Sequence, residues 1–476
     1  MENELNIDGT MPPENILGTE KISKLLVKFS IPGIVSMVVN SIYNLVDQIF
    51  IGWSEVGYLG NGATNVSFPF TTLALAIALM ISAGTAANIS LNLGRKDQVR
   101  ADKTLTQGFI IAACAGTLVC LIGEIFLERL LIIFGATDAL LGYAKEYSWI
   151  ILIGVPFITM GTMLNDFIRA DGSPKYAMVS MIIGAVINII LDPVFLFVCH
   201  WGMAGAAFAT ILGQIVSCIF SFAYLKRAKT VHFKKEYIRP EWAVIKHIFA
   251  IGISACITQI AILFVQIALN NVVKKYGVSS IYGSEIPLTC FGIIMKVQQV
   301  MMAFIIGICN SIQPIVGYNY GAEKYDRVRK VVYMALIATL IVGSVGCLIF
   351  QLFPEAVIGI FGQADELYNE FAVRCMKTIT VLIFVMGMQI LSSVYYQAVG
   401  KPIKAIILAL SRQLLFMIPA ILILPKFLGL DGAMYAFPVS DCAALILSTT
   451  LFVFEMKHLN GKIRDQHLAE GAAAKA

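Results

Sequence analysis

Apolar runs of 20 residues or more alternate with short polar punctuation along nearly the whole chain. A helix of that length crosses a hydrocarbon core of about 30 Å. Segments of about ten alternating residues, the signature of a membrane barrel, are absent. Twelve runs are read, beginning near Lys28, Leu59, Leu105, Tyr147, Tyr176, Met203, Val244, Pro287, Val331, Ala372, Ile403 and Ala433. They predict an all-α integral membrane protein of twelve transmembrane helices. Before the first run comes a polar, mostly acidic stretch (Glu2, Glu4, Asp8, Glu14, Glu20) with no basic n-region, so no cleavable signal is expected.

The runs repeat. Asn92, Gly94 and Arg100 meet Asn319, Gly321 and Arg327 at an offset of 227, as do Phe134, Gly135 and Asp138 with Phe361, Gly362 and Asp365, and Gly205, Ala206 and Ala209 with Gly432, Ala433 and Ala436. Ala170, Gly172 and Pro174 meet Ala398, Gly400 and Pro402 at 228, and Phe29 and Ile31 meet Phe249 and Ile251 at 220. Constant order and offset predict two six-helix bundles. Six is even, so both insert the same way round, related by an axis along the membrane normal. The expected organisation is a polar segment 1–24, a first lobe 25–227, a linker 228–241, a second lobe 242–456 and a tail 457–476.

Composition agrees: 58% of the 476 residues are hydrophobic, 14% charged, and mean hydropathy is +0.80. Bases cluster after even-numbered spans (Arg95, Lys96, Arg100 and Lys103; Arg169 and Lys175; Lys226 to Arg239; Lys324 to Lys330; Lys401 and Lys404). The positive-inside rule then puts both termini in the cytoplasm and the chain in the inner or plasma membrane. The same rule accounts for the net charge of +5, so no nucleic-acid partner is expected. The ten cysteines lie almost all within apolar runs without CxxC pairs, and read as small buried hydrophobes rather than a disulfide or zinc framework. The end of the tail, EGAAAKA, is of low complexity.

No GxxxxGK[ST] phosphate loop and no HExxH helix occurs, which excludes the common ATP-driven and metal-hydrolase chemistries. His200, His232, His247, His458 and His467 fall at span ends, in loops or in the tail, leaving carboxylates as the ionisable groups within the membrane. A charge there costs at least about 2.5 kcal/mol on insertion scales, so each is a functional candidate. Asp47 lies about 28 Å along the first span and Asp192 about 25 Å along the fifth, at similar depth. Asn188 is one turn before Asp192 on the same face, and Thr210 enters from the sixth span at the same level. Two carboxylates, an amide and a hydroxyl make an all-oxygen set suited to a hard cation or a shared proton. The alternative is that both acids simply reach the outer interface and are solvated, an alternative that weighs more for Asp47 alone than for the set. The repeat separates the readings: Asn188 maps to Leu415, Asp192 to Pro419 and Asp47 to the neighbourhood of Gln266 and Ile267, so the symmetry of the fold does not require these groups.

The second half carries Lys296, Arg412 and Asp441, each about 12–13 Å into its span. Arg412 and Asp441 read as a buried ion pair tying two helices, which leaves Lys296 without an acid. Pro32, inside the first span, removes one backbone hydrogen bond and permits a kink or is simply packed there. Met295, Met301 and Met302 read as packing residues that also suit an adaptable cavity.

The stretches Ser41 to Gly52 (SIYNLVDQIFIG), Asn188 to Asp192 (NIILD) and Gly202 to Thr210 (GMAGAAFAT), with the NLGRK and NYGAEK loops, resemble the MATE (multidrug and toxin extrusion) transporters, in their DinF-like branch, over Lys24 to Glu455. The resemblance implies a non-enzymatic exporter of cationic or amphipathic organic compounds, a secondary active antiporter using H⁺ or Na⁺, without cofactor and working as a monomer. It also implies a coupling site at Asp47, Asn188, Asp192 and Thr210 that holds the proton or a Na⁺ ion, with Tyr43 and Asn44 beside it and Pro32 as the bending point. The NorM-like branch places an acid in the seventh span, where this chain has Gln259 and Gln266, so a second cation site there is not expected. Gln259, Gln266, Lys296, Arg412 and Asp441 remain as polar or substrate-facing candidates. A flippase for anionic or lipid-linked cargo, which would suit Lys296 and Arg412, is the rival on the same fold. A channel or membrane scaffold is the rival of another class.

Overall fold

The computed structural model describes residues 15–134, 136, 138–283, 285–360 and 366–473. The acids Glu2 to Glu14, the repeat marks Gly135, Phe361, Gly362 and Asp365, and the last three residues of the EGAAAKA end lie outside these. Among the described residues there are twelve membrane-length helices and no strand: α1 Ile22–Trp53, α2 Leu59–Gly94, α3 Gln98–Ile133, α4 Leu140–Ala170, α5 Pro174–Val198, α6 Gly202–Arg227, α7 Trp242–Gly277, α8 Ile286–Gly321, α9 Tyr325–Leu352, α10 Glu366–Ala398, α11 Pro402–Leu428 and α12 Leu430–Ala469. Several begin well before the expected positions, because hydropathy marks only the apolar stretch while backbone hydrogen bonding carries the helix on through polar ends. The last helix, similarly, continues to Ala473, so most of the expected tail is helix. All ten cysteines are free, and three of them, Cys114, Cys199 and Cys442, lie on the surface rather than among buried hydrophobes.

Helices α1–α6 and α7–α12 form two bundles whose contacts meet chiefly where α1 packs on α8 and α2 on α7. Glycines permit the approach. A Cβ on Gly307 would lie 2.6 Å from the Ile34 Cα, one on Gly84 2.8 Å from the Ile248 carbonyl carbon, and Gly252 faces the Met80 carbonyl with no room for a side chain. Gly94 and Gly321 pack in the same way on Tyr318 and Leu91. All of these lie in the halves of the helices next to the basic loops. In the other halves Gly52, Gly60 and Gly62 meet only their own bundle, and Gly292 meets nothing within 4 Å. On α8 the change is abrupt: Thr289, Lys296 and Gln299 are exposed, whereas no residue from 301 to 319 is. The bundles are therefore joined at the basic end and parted at the other, leaving a cleft that opens away from the basic face.

Helix α1 belongs to both bundles. Leu25 and Phe29 sit in one core with Ile308, Ile312, Val331 and Tyr395 of the second bundle, while Ile51 is in the core of the first with Leu131 and Ile211. Pro32 falls between these regions and has no N–H to offer the Lys28 carbonyl. One turn earlier the Phe29 carbonyl accepts from the Ser311 hydroxyl of α8 at 2.9 Å, a link between bundles. The linker is pinned to the first bundle: Asp171 accepts from the backbone N–H groups of Lys229 and Thr230, and Asp102 from that of His232.

Candidate functional site

Helices α5 and α6 cross with almost no side chain between them. A Cβ on Gly213 would lie 2.5 Å from the Gly184 carbonyl oxygen and 3.3 Å from the Asn188 Cβ. This contact lets short polar side chains reach across. Asn188 Nδ2 lies 3.3 Å from Thr210 Oγ1 and 3.3 Å from Asp192 Oδ1. Just beyond, α5 passes through Pro193 into a single π-helical turn, Val194–Val198, a local irregularity that often marks functional positions. Helix α1 brings Asp47 to the same place, with its carboxyl group within interaction range of Asp192 and of its neighbour Gln48. The structure thus brings Asp47, Asn188, Asp192 and Thr210 together.

Asp47 is 7% exposed, Asn188 2% and Asp192 0%. Asp47 Oδ1, Asp192 Oδ2 and Asn188 Oδ1 are buried without a hydrogen-bond donor, and no described Lys or Arg pairs with either acid. Buried carboxylates that stay bare and unpaired cost several kcal/mol each. Three orphan acceptors in one pocket make an arrangement able to take a small cation, either a proton shared by the acids or an ion ringed by oxygens. Among the described residues no cluster of three His, Cys, Asp or Glu could hold a metal.

Tyr43 lies in electrostatic range of both acids, and so does Tyr147 of α4. Tyr147 was not among the expected site residues. It stood at the expected start of the fourth span and so appeared to lie at the membrane edge, whereas that helix begins earlier and carries it inward. Asn44 is exposed, its Nδ2 bonded to the Asn40 carbonyl at 2.7 Å, and its side chain lies within interaction range of Tyr43.

In the second bundle Arg412 Nε donates to Asp441 Oδ1 at 2.8 Å, with side chains 14% and 2% exposed. Arg412 lies in a π-helical stretch of α11, Ser411–Met417. Gln259 and Gln266 are half-buried on α7, and Lys296 is exposed on α8 with no carboxylate partner among the described residues. Met295, Met301 and Met302 pack at the edge of the second bundle's core.

The sequence pattern of the MatE family matches residues 32–194 and again 254–422, once in each bundle. The chain belongs to the MatE family. That family consists of transporters rather than enzymes. Its relatives include the multidrug export protein MepA of Staphylococcus aureus (strain bovine RF122 / ET3-1), 24% identical over 452 residues, covering 94% of this chain and 97% of the relative. The MepA of Staphylococcus saprophyticus matches to the same extent. An outward-facing multidrug resistance MATE transporter of the MOP superfamily superposes with a TM-score of 0.87 at 22% identity, over 95% of this chain and 99% of that one. The fold is accordingly the MATE fold of twelve helices in two bundles.

Proposed function

We propose that this MatE-family chain is a secondary active exporter of amphipathic organic compounds, driven by antiport of H⁺ or Na⁺ through the pocket of Asp47, Asn188, Asp192 and Thr210. The observation that carries the reading is the set of three orphaned oxygens in that pocket, buried and without a fixed cation. The MepA relatives, named as multidrug exporters, support the substrate class, and the NIILD and SIYNLVDQ stretches favour the DinF-like branch. With the basic loops in the cytoplasm, as the positive-inside rule has it, the cleft opens outward. An entering cation then reaches Asp47 and Asp192 from outside.

The coupling follows from the two allegiances of α1. The half of α1 beyond Pro32 carries Asp47 into the cation pocket, while the half before it packs in the second bundle and accepts from Ser311. Loading a cation neutralises the acids and removes the charge that draws water and α1 toward the pocket. Because Pro32 leaves a gap in the backbone ladder, α1 bends there at low cost, displacing substrate from the outward cleft. The cation-loaded, substrate-free carrier then closes outside, opens inside and gives up its ion to the cytoplasm. A cation drives this cycle only if it binds the two states unequally.

The test is efflux from proteoliposomes under an imposed Na⁺ or proton gradient. Asp47→Asn and Asp192→Asn proteins should insert and bind substrate yet lose gradient-driven export. Normal export rates in both variants would refute the coupling site.

A further inference from the structure

The wall of the cleft opposite the cation pocket carries a positive charge, Lys296, with no carboxylate partner among the described residues. Lys296 lies eleven residues from Gly307, three turns and about 20° of helical phase away, so it shares the face that touches Ile34 of the first bundle. Gly307 is at the closed crossing; Lys296, about 17 Å further toward the open end, is exposed on the same stripe. Its side chain therefore meets the cleft rather than lipid. The same reckoning on α7 starts from Gly252, which touches Met80. Gln259 and Gln266 follow at seven and fourteen residues, about 20° and 40° off that face, with Gln266 about 21 Å above the crossing. Asp47 stands about 20 Å above Ile34 on α1, but turned into its own bundle. At similar depth, then, the first bundle holds buried acids and the second presents Lys296 and the Gln266 amide to the open cleft, with the Gln259 amide about 10 Å nearer the crossing than Gln266. Asp441 already pairs with Arg412 through its Oδ1 and is 3% exposed.

We propose that Lys296, with Gln259 and Gln266, forms a substrate station that takes the anionic group of an amphipathic molecule, a carboxylate, sulfonate or phosphate. This rests on the exporter reading and narrows its substrate class. A lysine held at membrane depth without a counter-ion costs free energy that an incoming anion returns, and amide N–H groups complete the anion's hydrogen bonds. A purely cationic compound gains nothing from this wall and is repelled by it. A molecule with an anionic head and an apolar body binds the lysine with the head and the apolar cleft lining with the body.

The experiment uses the full-length protein in phosphatidylcholine nanodiscs and three fluorescent probes with one dansyl-alkyl body, ending in a carboxylate, a carboxamide or an ammonium group. The wild type should bind the carboxylate at least tenfold more tightly than the carboxamide, and the ammonium probe most weakly. Lys296→Gln should abolish the carboxylate preference while leaving carboxamide binding in place, which also reports that the variant is folded. Lys296→Arg should retain the preference. Replacing part of the phosphatidylcholine with phosphatidylglycerol separates the sources of the anion. Competition against the carboxylate probe in the wild type but not in Lys296→Gln assigns the station to a lipid headgroup; its absence assigns it to a soluble amphiphile. Either result supports an anion station. A wild type without carboxylate preference, or a preference that survives Lys296→Gln, overturns it. Gradient-driven efflux of the carboxamide probe, run in parallel, keeps the exporter reading separate: efflux without carboxylate preference refutes the station alone.

Discussion

Replacing Gly213 by alanine tests whether the α5–α6 crossing sets the geometry of the proposed cation pocket. The new Cβ would lie 2.5 Å from the Gly184 carbonyl oxygen, about 0.9 Å short of ordinary van der Waals contact. Backbone on both sides prevents a side chain from yielding, so the helices must part. The Asn188 to Thr210 hydrogen bond spans this crossing and is already 3.3 Å long; a few tenths of an ångström more take it past 3.6 Å, where it is no longer a hydrogen bond. Losing one neutral bond is worth about 1 kcal/mol, or about fivefold in cation affinity. Crowding adds about 1–3 kcal/mol of destabilisation. In proteoliposomes, Gly213→Ala should raise the half-saturating concentration of the driving cation about fivefold while keeping much of the maximal rate, with a lowered melting temperature. Thr210→Val removes the same bond without crowding and should match the shift in cation dependence at nearly wild-type stability. Gly142→Ala, where a Cβ meets nothing within 4 Å, should leave both unchanged. If Thr210→Val shifts the cation dependence and Gly213→Ala does not, the crossing does not set the pocket; if neither does, the hydroxyl and amide are not part of it.

Asp441→Asn or Arg412→Met alone strands a buried partner and should cost about 3–5 kcal/mol, read as a lowered melting temperature in detergent. The double change Arg412→Met with Asp441→Leu should recover most of that loss. Gly252→Ala pushes α7 off the Met80 carbonyl and should loosen the closed end, seen as faster hydrogen exchange in the basic-end halves of α2 and α7. Unchanged exchange would show that the crossing tolerates a methyl group. Pro32→Ala restores a donor to the Lys28 carbonyl; substrate binding should persist while gradient-driven export slows several-fold, measured as flux from proteoliposomes.

Much of this molecule is legible in one dimension because a bilayer imposes one-dimensional rules. Every backbone polar group must be satisfied within its own span, so run length alone identifies twelve helices, and an even number per repeat settles how the halves are related. Acids are costly in that setting, so Asp47 and Asp192 stand out against apolar neighbours, and the absence of counterparts in the second half sets them apart from symmetry. Asn188 follows from the 3.6-residue period and Thr210 from its depth.

Tertiary structure decided what depth and period leave open, namely which faces meet. Sequence places Lys296 within a span, but only the contact of Gly307 with Ile34 assigns its face to the cleft. Tyr147 joins the pocket because α4 begins in polar residues that hydropathy discounts. Pro32 is a proline in a helix until α1 is seen to leave one bundle core for the other around it. The closed basic end and open opposite end depend on glycines packing between segments more than 160 residues apart, Gly33 with Gly307 and Gly84 with Ile248. Close approach of that kind requires small residues, and glycines are common throughout such spans; which of them touch is a property of the assembled bundles.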